Sequence, residues 1–411
     1  MRILLVNQHY PPDGGATGRL LADLAEGLAA RGHDVTVLTG RPTYPSPSEP
    51  AAPGHERLRG VDVVRVPMAP RREGALGRGL HYLSFAVAST WRGFLVPRTD
   101  AVVAFSSTPV FGGLSALLLA RAKRCPLVYC VQDVHPEMAA ALGALRSRAV
   151  VGLLRRLEGL AWRGAARLVV IGDDLRSAAA DRGVDARRVV TIRNWADTSR
   201  IVPQERSAFR RELGLGDEHF VVQYAGNLGR AQDLDTVVAA SELAHRADDR
   251  VRLMLVGGGC AAANLARTAE VARGVVVAEL QPEERVGDVL AAADVSLVPL
   301  REGLARWCVP SKVYSILASG RPVGAVVDAG SEVARVVEEA HCGFRVDPGD
   351  VASLAREILR LSSDRGATRR LGGNGRAWLE TDGALRRALD QYEATLVEVV
   401  AGSSQAAPRP T

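Results

Sequence analysis

Apolar residues fall along this chain in short continuous runs, and stretches of helical period separate one run from the next. In the first half the runs lie at 2–7, 34–39, 62–66, 101–105, 126–130, 167–171 and 189–192. In the second half they lie at 220–226, 251–256, 275–278, 295–300, 323–327 and 343–346. A strand buried on both faces needs such a run, whereas a half-solvated antiparallel strand alternates. The pattern therefore predicts two parallel, helix-covered α/β domains. Between the two series, Pro203 and residues 214–217 mark an Arg- and Glu-rich stretch without apolar period, read as linker. Ligands of such sheets sit beyond the carboxyl ends of the strands, so the loops that follow them are where chemistry is sought.

The 411 residues exceed one ordinary core and fit two domains. MRILLVNQHYPP carries one positive charge and a short apolar run, which makes it a first strand and not a signal peptide. The longest uncharged run, 101–120, is broken by Ser106-Ser107-Thr108-Pro109 and Gly112-Gly113, and parses as strand, loop and buried helix. The net charge of +6 suits an anionic small molecule, a membrane surface or nucleic acid, and decides nothing alone. The arginines are dispersed and no nucleic-acid module is present, so no nucleic-acid partner is expected. Five scattered cysteines, Cys125, Cys130, Cys260, Cys308 and Cys342, read as reduced thiols of a cytoplasmic protein, with Cys308 a small packing residue.

Several strand-end loops carry candidate chemistry. Of the 52 lysines and arginines only Lys123 and Lys312 are lysines, and Lys312 follows Pro310-Ser311 at the start of a short helix. Ser311 has the chemistry of an N-cap, and helix-start amides beside a compact ammonium form a candidate anion site; a solvated helix-end charge is the bland alternative. The first loop, His9-Tyr10-Pro11-Pro12-Asp13-Gly14-Gly15-Ala16-Thr17-Gly18, pairs glycines ahead of a helix, which suits either backbone approach to a ligand or an ordinary turn. Gln132-Asp133-Val134-His135-Pro136-Glu137 offers a polar floor for ligand hydroxyls and a base, or a capped turn. Gly226-Asn227-Leu228-Gly229-Arg230 sets one cation beyond a strand, and Asp233-Leu234-Asp235 reads as a helix cap, not a metal site. From Arg71 to Arg98, arginines interleave with His81, Tyr82, Phe85, Trp91 and Phe94; this is a helix lying on an anionic membrane or one packed with a solvated face.

The run from Pro299-Leu300 through Pro310-Ser311-Lys312-Val313-Tyr314 to Ala318-Ser319-Gly320-Arg321-Pro322-Val323 resembles the donor-binding segment of family 4 retaining glycosyltransferases. The bacterial O-antigen and colanic-acid-type polysaccharide subgroup is the nearest likeness. Leu255-Val256-Gly257-Gly258-Gly259 and Thr191-Ile192-Arg193-Asn194-Trp195-Ala196-Asp197 resemble further family segments in the right order. The resemblance implies a GT-B fold, two doubly wound Rossmann-like domains facing across a cleft, with a C-terminal helix returning to the N-terminal domain. The expected boundaries are 1–200 for acceptor binding, 201–378 for the nucleotide sugar, 379–400 for the returning helix and 401–411 for a disordered tail.

It also implies roles. Arg230 and Lys312 stabilise a departing diphosphate, while Asp133 and His135 serve as catalytic groups. Gly14, Gly15, Gly226, Asn227, Gln232, Gly257, Gly258, Gln281, Pro310, Ser311, Val313, Ser315 and Glu332 contact the donor. Tyr10, Thr17 and Gln132, with Asp133 and His135, contact the acceptor. In front-face substitution the diphosphate takes the acceptor proton, so no strong protein base is required, and no metal or other cofactor is expected. The partners implied are a UDP- or GDP-linked sugar donor and an acceptor sugar, lipid-linked glycan or small soluble molecule, handled by a monomer or homodimer. Peripheral membrane contact through Arg71 to Arg98 is implied as well. Two departures stand out: the family's E-x7-E glutamates fall on Trp307 and Ser315, and Gln132-Asp133 replaces His-Asp. A nucleotide-sugar-binding protein without turnover is the alternative of another class.

Overall fold

The computed structural model describes residues 1–13, 15–42, 52–72, 74–205 and 207–406, and Gly14 lies outside them. The chain divides into two compact units, Met1–Asn194 with Leu385–Thr411, and Trp195–Ala384. Each is built on its own sheet.

Among the described residues the first unit holds β1 (Arg2–Val6), β2 (Asp34–Gly40), β3 (His55–Leu58), β4 (Val61–Val66), β5 (Ala101–Phe105), β6 (Leu127–Val131), β7 (Arg167–Val170) and β8 (Val189–Thr191). Their order is β3-β4-β2-β1-β5-β6-β7-β8, parallel except where β3 pairs antiparallel with β4 at the edge. β1, β5 and β6 are almost wholly buried, which is why they read as unbroken apolar runs. β3 was not expected: HERL is half exposed and has neither an apolar run nor a clean alternation.

The helix Gly74–Phe94 turns His81, Phe85 and Ser89 into the core and leaves Leu76, Leu80, Leu83, Val87, Trp91 and Phe94 exposed. His81 and Phe85 therefore drop out of the expected membrane-facing set. The His81 Nδ1 lies 2.6 Å from the Ala69 carbonyl, which can only accept, so Nε2 is left to accept from the Gln8 amide at 2.7 Å.

The last helix, Leu385–Ala406, packs on the helix Ala16–Ala30, and a Cβ on Gly27 would come within 2.5 Å of Leu389. Arg31 reaches Asp390 and Glu393 at 2.5 and 2.7 Å, and Tyr392 donates to the Cys130 thiol at 3.4 Å. This helix starts later and runs further than expected. Residues 379–381 close the preceding helix Arg365–Thr381, while residues 401–406 continue the last one in place of a disordered tail, with Ser403 Oγ donating to Val399 O at 2.8 Å.

The second unit's sheet is β9 (Phe220–Ala225), β10 (Val251–Val256), β11 (Val275–Ala278), β12 (Val295–Pro299), β13 (Val323–Val326) and β14 (Gly343–Val346), in the order β11-β10-β9-β12-β13-β14. All neighbours are parallel. Strand order reverses between β1 and β5 in the first sheet and between β9 and β12 in the second. A crevice opens at such a reversal because successive crossovers leave to opposite sides.

Candidate functional site

In the second unit the loops after β9, β10 and β12 meet at the reversal. Gly226 and Gly257 have φ of 137° and 151°, and a Cβ on Gly257 would stand 1.8 Å from the Gly226 carbonyl oxygen. Only glycine lets the two turns touch backbone to backbone. The Gly226 N–H donates to Val256 O and the Leu228 N–H to Gly258 O, both at 2.8 Å. The Arg301 N–H donates to Ala231 O at 2.9 Å and the Gly303 N–H to the Asp328 carboxylate at 2.9 Å, tying the β12 loop to its neighbours on either side.

Lys312 projects into this knot. Its Nζ donates to Ala225 O at 3.1 Å, lies 3.5 Å from the centroid of the Tyr224 ring, and would be 2.9 Å from a Cβ on Gly226. No carboxylate among the described residues pairs with it, and burial pulls the ammonium down to about 7. A cation desolvated without a counter-ion binds an anion strongly, because the anion removes a penalty already incurred. Arg230 stands exposed on the same β9 loop, and the buried Gln232 Oε1 has no hydrogen-bond partner.

The helix behind Lys312 differs from expectation. It spans Lys312–Ala318, and Ser311 has helical φ and ψ (−64°, −16°) with no capping bond from its side chain. A cap needs non-helical backbone to swing its oxygen over the first turn. The Val313 and Tyr314 N–H groups donate to Pro310 O and Ser311 O, so the helix start offers fewer free amides than its sequence suggests. Ser315 is half-buried within the helix, and Asn227 and Gly258 lie on the glycine turns. Glu332 is buried at the start of the helix Glu332–Glu339 with its carboxylate on Arg335 at 2.8 Å, so it does not stand in for the absent family glutamate. Gln281 donates to Glu279 O and accepts from Arg285, each at 3.1 Å. Trp307 carries the Arg306 guanidinium 4.5 Å over its ring. Asp233 accepts from the Thr236 hydroxyl at 2.7 Å and makes no backbone cap.

In the first unit the loops after β1, β5 and β6 form a hydrogen-bonded chain. Asn7 donates to His9 O at 2.6 Å and accepts from Ser107, while Ser106 Oγ accepts from the Gln132 and Asp133 N–H groups at 2.8 and 3.3 Å. Burial pushes the Asp133 carboxyl up to about 6. Burial, with the nearby Arg182 charge, pulls the His135 imidazole down to about 4. Of these two, Asp133 is therefore the charged group at neutral pH and His135 the neutral one.

Two expected acceptor contacts are corrected here. Tyr10 is 0% exposed with its hydroxyl facing the core, so it cannot reach a ligand. Gln132 is buried and exchanges both ends of its amide with Asn194, at 2.9 and 3.2 Å, which fixes the exit of β8 instead. Thr17 is half-buried in the first turn of the helix Ala16–Ala30, and Gly15, at its N-cap, is exposed with open space where a Cβ would stand.

Sequence reasoning missed two arrangements. His9 Nδ1 lies 2.6 Å from Asp13 Oδ2 on the β1 loop, and the available signal was an imidazole and a carboxylate four residues apart beyond the first strand. Behind His135, Arg182 binds Glu137 at 2.6 Å, Glu158 at 3.2 Å and the His135 carbonyl at 3.1 Å. Those residues are far apart in sequence and give no local signal.

Comparison with known proteins bears on the same loops. Residues 15–195 match the family described as glycosyl transferase 4-like domain, and residues 219–364 match glycosyl transferases group 1. The glycosyltransferase WbjE of Pseudomonas aeruginosa is 31% identical over 309 residues, covering 72% of this chain and 74% of WbjE. The colanic acid biosynthesis glycosyl transferase WcaI of Escherichia coli K12 is 28% identical over 377 residues, covering 87% and 91%. Anabaena HepE, solved with UDP-glucose, superposes with a TM-score of 0.70 at 18% identity over 97% of this chain and 100% of HepE. That likeness carries the fold, which is GT-B.

Proposed function

The chain belongs to the glycosyltransferases that join a family 4-like domain to a group 1 domain, and from that premise we propose that it moves a sugar from a UDP- or GDP-linked donor to an acceptor in bacterial polysaccharide or glycolipid assembly. The observation that carries the donor reading is Lys312, a half-buried ammonium that pairs with no carboxylate among the described residues and sits where two glycine turns meet backbone to backbone. A departing diphosphate supplies the missing counter-charge, and Arg230 adds a second, exposed cation beside it. Transfer proceeds with retention and without a metal, as the likeness to family 4 implies. Asp133 and His135 hold acceptor hydroxyls, one as carboxylate and the other as neutral imidazole. WcaI, named for colanic acid assembly, supports the polysaccharide reading, and the UDP-glucose of the HepE structure supports the donor class.

Titration of the purified protein with UDP and GDP, followed by turnover of the matching nucleotide sugars, tests this. One nucleotide is expected to bind, and Arg230→Ala to weaken it roughly ten-fold, the worth of one charge-assisted hydrogen bond. Absence of binding to either nucleotide removes the donor reading. Binding without any turnover leaves a nucleotide-sugar-binding protein.

The exposed stripe of the helix Gly74–Phe94 supports peripheral contact with an anionic membrane. Leu76 is 88% and Trp91 71% exposed, with Arg72, Arg92 and Arg98 nearby in sequence. No helix among the described residues is long and apolar enough to cross a membrane. Co-sedimentation with phosphatidylglycerol vesicles is expected for the native chain and reduced severalfold in Leu80→Asp/Trp91→Asp with nucleotide affinity unchanged. Equal sedimentation of both proteins removes the contact.

A further inference from the structure

We propose that the outer faces of three helices in the first unit, Gly74–Phe94, Phe111–Ala122 and Arg148–Gly164, form one docking surface for an anionic lipid bilayer. The inference rests on the contact proposed above for the first of these helices, extends it across the other two, and stands apart from the transferase reading.

Close packing makes the three helices one layer. The second lies between the other two and meets each at glycine: a Cβ on Gly93 would come within 2.6 Å of Leu119, and a Cβ on Gly164 within 2.6 Å of Leu117. A Cβ on Gly113 would stand 3.0 Å from Ala161, and the Thr90 and Ser115 hydroxyls share a hydrogen bond of 2.7 Å. Leu117 therefore faces the third helix and Leu119 the first. At about 100° per residue Leu118 points outward between them, and it is 52% exposed, whereas Ala116 and Ala120 on the opposite side are buried.

Each helix carries the same outward composition. On the first, Leu80, Leu83, Val87, Trp91 and Phe94 follow one another along one stripe. On the third, Leu153 and Leu160 are 57% and 49% exposed with Arg156 between them, while Glu158, Ala161 and Trp162 turn inward. Single apolar residues on a surface mean little, but a stripe repeated on adjoining helices is a binding face.

Its charge selects the partner. No Asp or Glu occurs from Gly74 to Thr99 or from Ala101 to Gln132, and the third helix's one acid, Glu158, is buried against Arg182. The exposed Arg92, Arg121, Arg148 and Arg156 make no ion pair among the described residues, whereas Arg2, Arg31 and Arg187 elsewhere in this unit are paired. Ordinary surfaces intersperse both signs. Leucines and a tryptophan among unpaired arginines suit lipid, where the apolar side chains enter the acyl boundary and the guanidinium groups meet phosphate. Two copies of this chain meeting through the face would set arginines against arginines, and nucleic acid has no use for the apolar stripe. The second helix begins five residues after Ser106, so docking brings the loop that holds the Asp133 backbone to the lipid surface.

The test is co-sedimentation with phosphatidylglycerol and with phosphatidylcholine vesicles, using the full chain and variants confined to the second and third helices. The native chain is expected to bind the anionic vesicles and not the neutral ones. Leu153→Asp/Leu160→Asp, with the first helix intact, is expected to weaken that binding about ten-fold, and Arg121→Gln/Arg156→Gln by a similar factor. Melting temperature and UDP or GDP affinity of both variants are expected to match the native chain, because all four side chains are exposed. Native binding in both variants, with loss in Leu80→Asp/Trp91→Asp, would confine the contact to the first helix and overturn the proposal. Failure of the native chain to bind, or equal binding to neutral vesicles, would remove the single-helix contact as well. A native dimer in sedimentation velocity that Leu153→Asp/Leu160→Asp separates would overturn the proposal in favour of self-association. Leu118→Trp in a Trp91→Phe background gives a reading independent of affinity: brominated lipid is expected to quench the added emission, and unquenched emission from the bound protein overturns the assignment.

Discussion

Replacing Lys312 by Met is expected to weaken nucleotide binding by about 100-fold or more while raising the stability of the ligand-free chain by about 1 kcal/mol. Both effects have one cause. The ammonium is desolvated beside the Ala225 carbonyl and the Tyr224 ring with no carboxylate among the described residues paired to it, so the free protein bears a cost that bound diphosphate relieves. Met keeps the length and the contact with the ring but carries no charge. Lys312→Arg is expected to fail as well, because the Nζ sits between Ala225 O at 3.1 Å and the Tyr224 ring centroid at 3.5 Å, and a longer planar fork cannot keep that position.

The pH dependence follows with a definite sign. In the free protein Lys312 titrates at about 7 against an ordinary 10.5, and a bound diphosphate raises it again. Binding at pH 8 therefore takes up protons, and affinity falls by up to ten-fold per unit above pH 7 until the bound-state value is reached. The terminal phosphate of UDP, with a pKa of about 6, is already ionised there and does not contribute. For stability the unfolded chain holds the extra proton between about 7 and 10.5, so ligand-free stability rises with pH across that window. Isothermal titration in buffers of different ionisation enthalpy measures the uptake. Affinity constant from pH 7 to 9 with no proton uptake would place the diphosphate away from Lys312.

That site was half legible in the sequence. One of only two lysines among fifty arginines, two residues after a proline at a helix start, pointed to the right residue because composition made it rare. The glycines at 226 and 257 pointed to close backbone approach for the same local reason. Parallel strands announced themselves because burial on both faces demands unbroken apolar runs, whereas the edge strand β3 carries no such demand and left no trace. Tyr10 and Gln132 were misplaced because both sit in strand-end loops, yet whether a polar side chain there meets a ligand or a neighbouring loop is decided by residues far away. Asn194 claims Gln132 across 62 positions, and no window contains both. Ser311 had the right side chain for a cap and the wrong backbone, which sequence does not specify.

Arg182→Met is expected to destabilise the first unit by about 3–5 kcal/mol, the cost of leaving buried carboxylates without their cation. The guanidinium is 2% exposed, lies 4.4 Å from the centroid of the Trp162 ring, and is shared between Glu137 and the fully buried Glu158. One cation against two acids makes a proton on Glu158 the electrically economical state, and burial, opposed by Arg182, pushes that carboxyl up to about 8. The folded chain then binds more protons than the unfolded chain between about 4.5 and 8, so native stability falls as pH rises through that window. Urea unfolding at pH 5, 7 and 9 is expected to show this fall in the native chain and to lose most of it in Glu158→Gln. Adding Glu158→Leu to Arg182→Met is expected to recover much of the stability, because it removes the acid that was left unpaired. It cannot restore the donor to the His135 carbonyl, so turnover in the double variant is expected to stay low with stability regained. That separation distinguishes Arg182 as the residue that positions the Asp133–His135 loop from Arg182 as a stabilising contact alone. A double variant that recovers activity in step with stability would assign it the second role only.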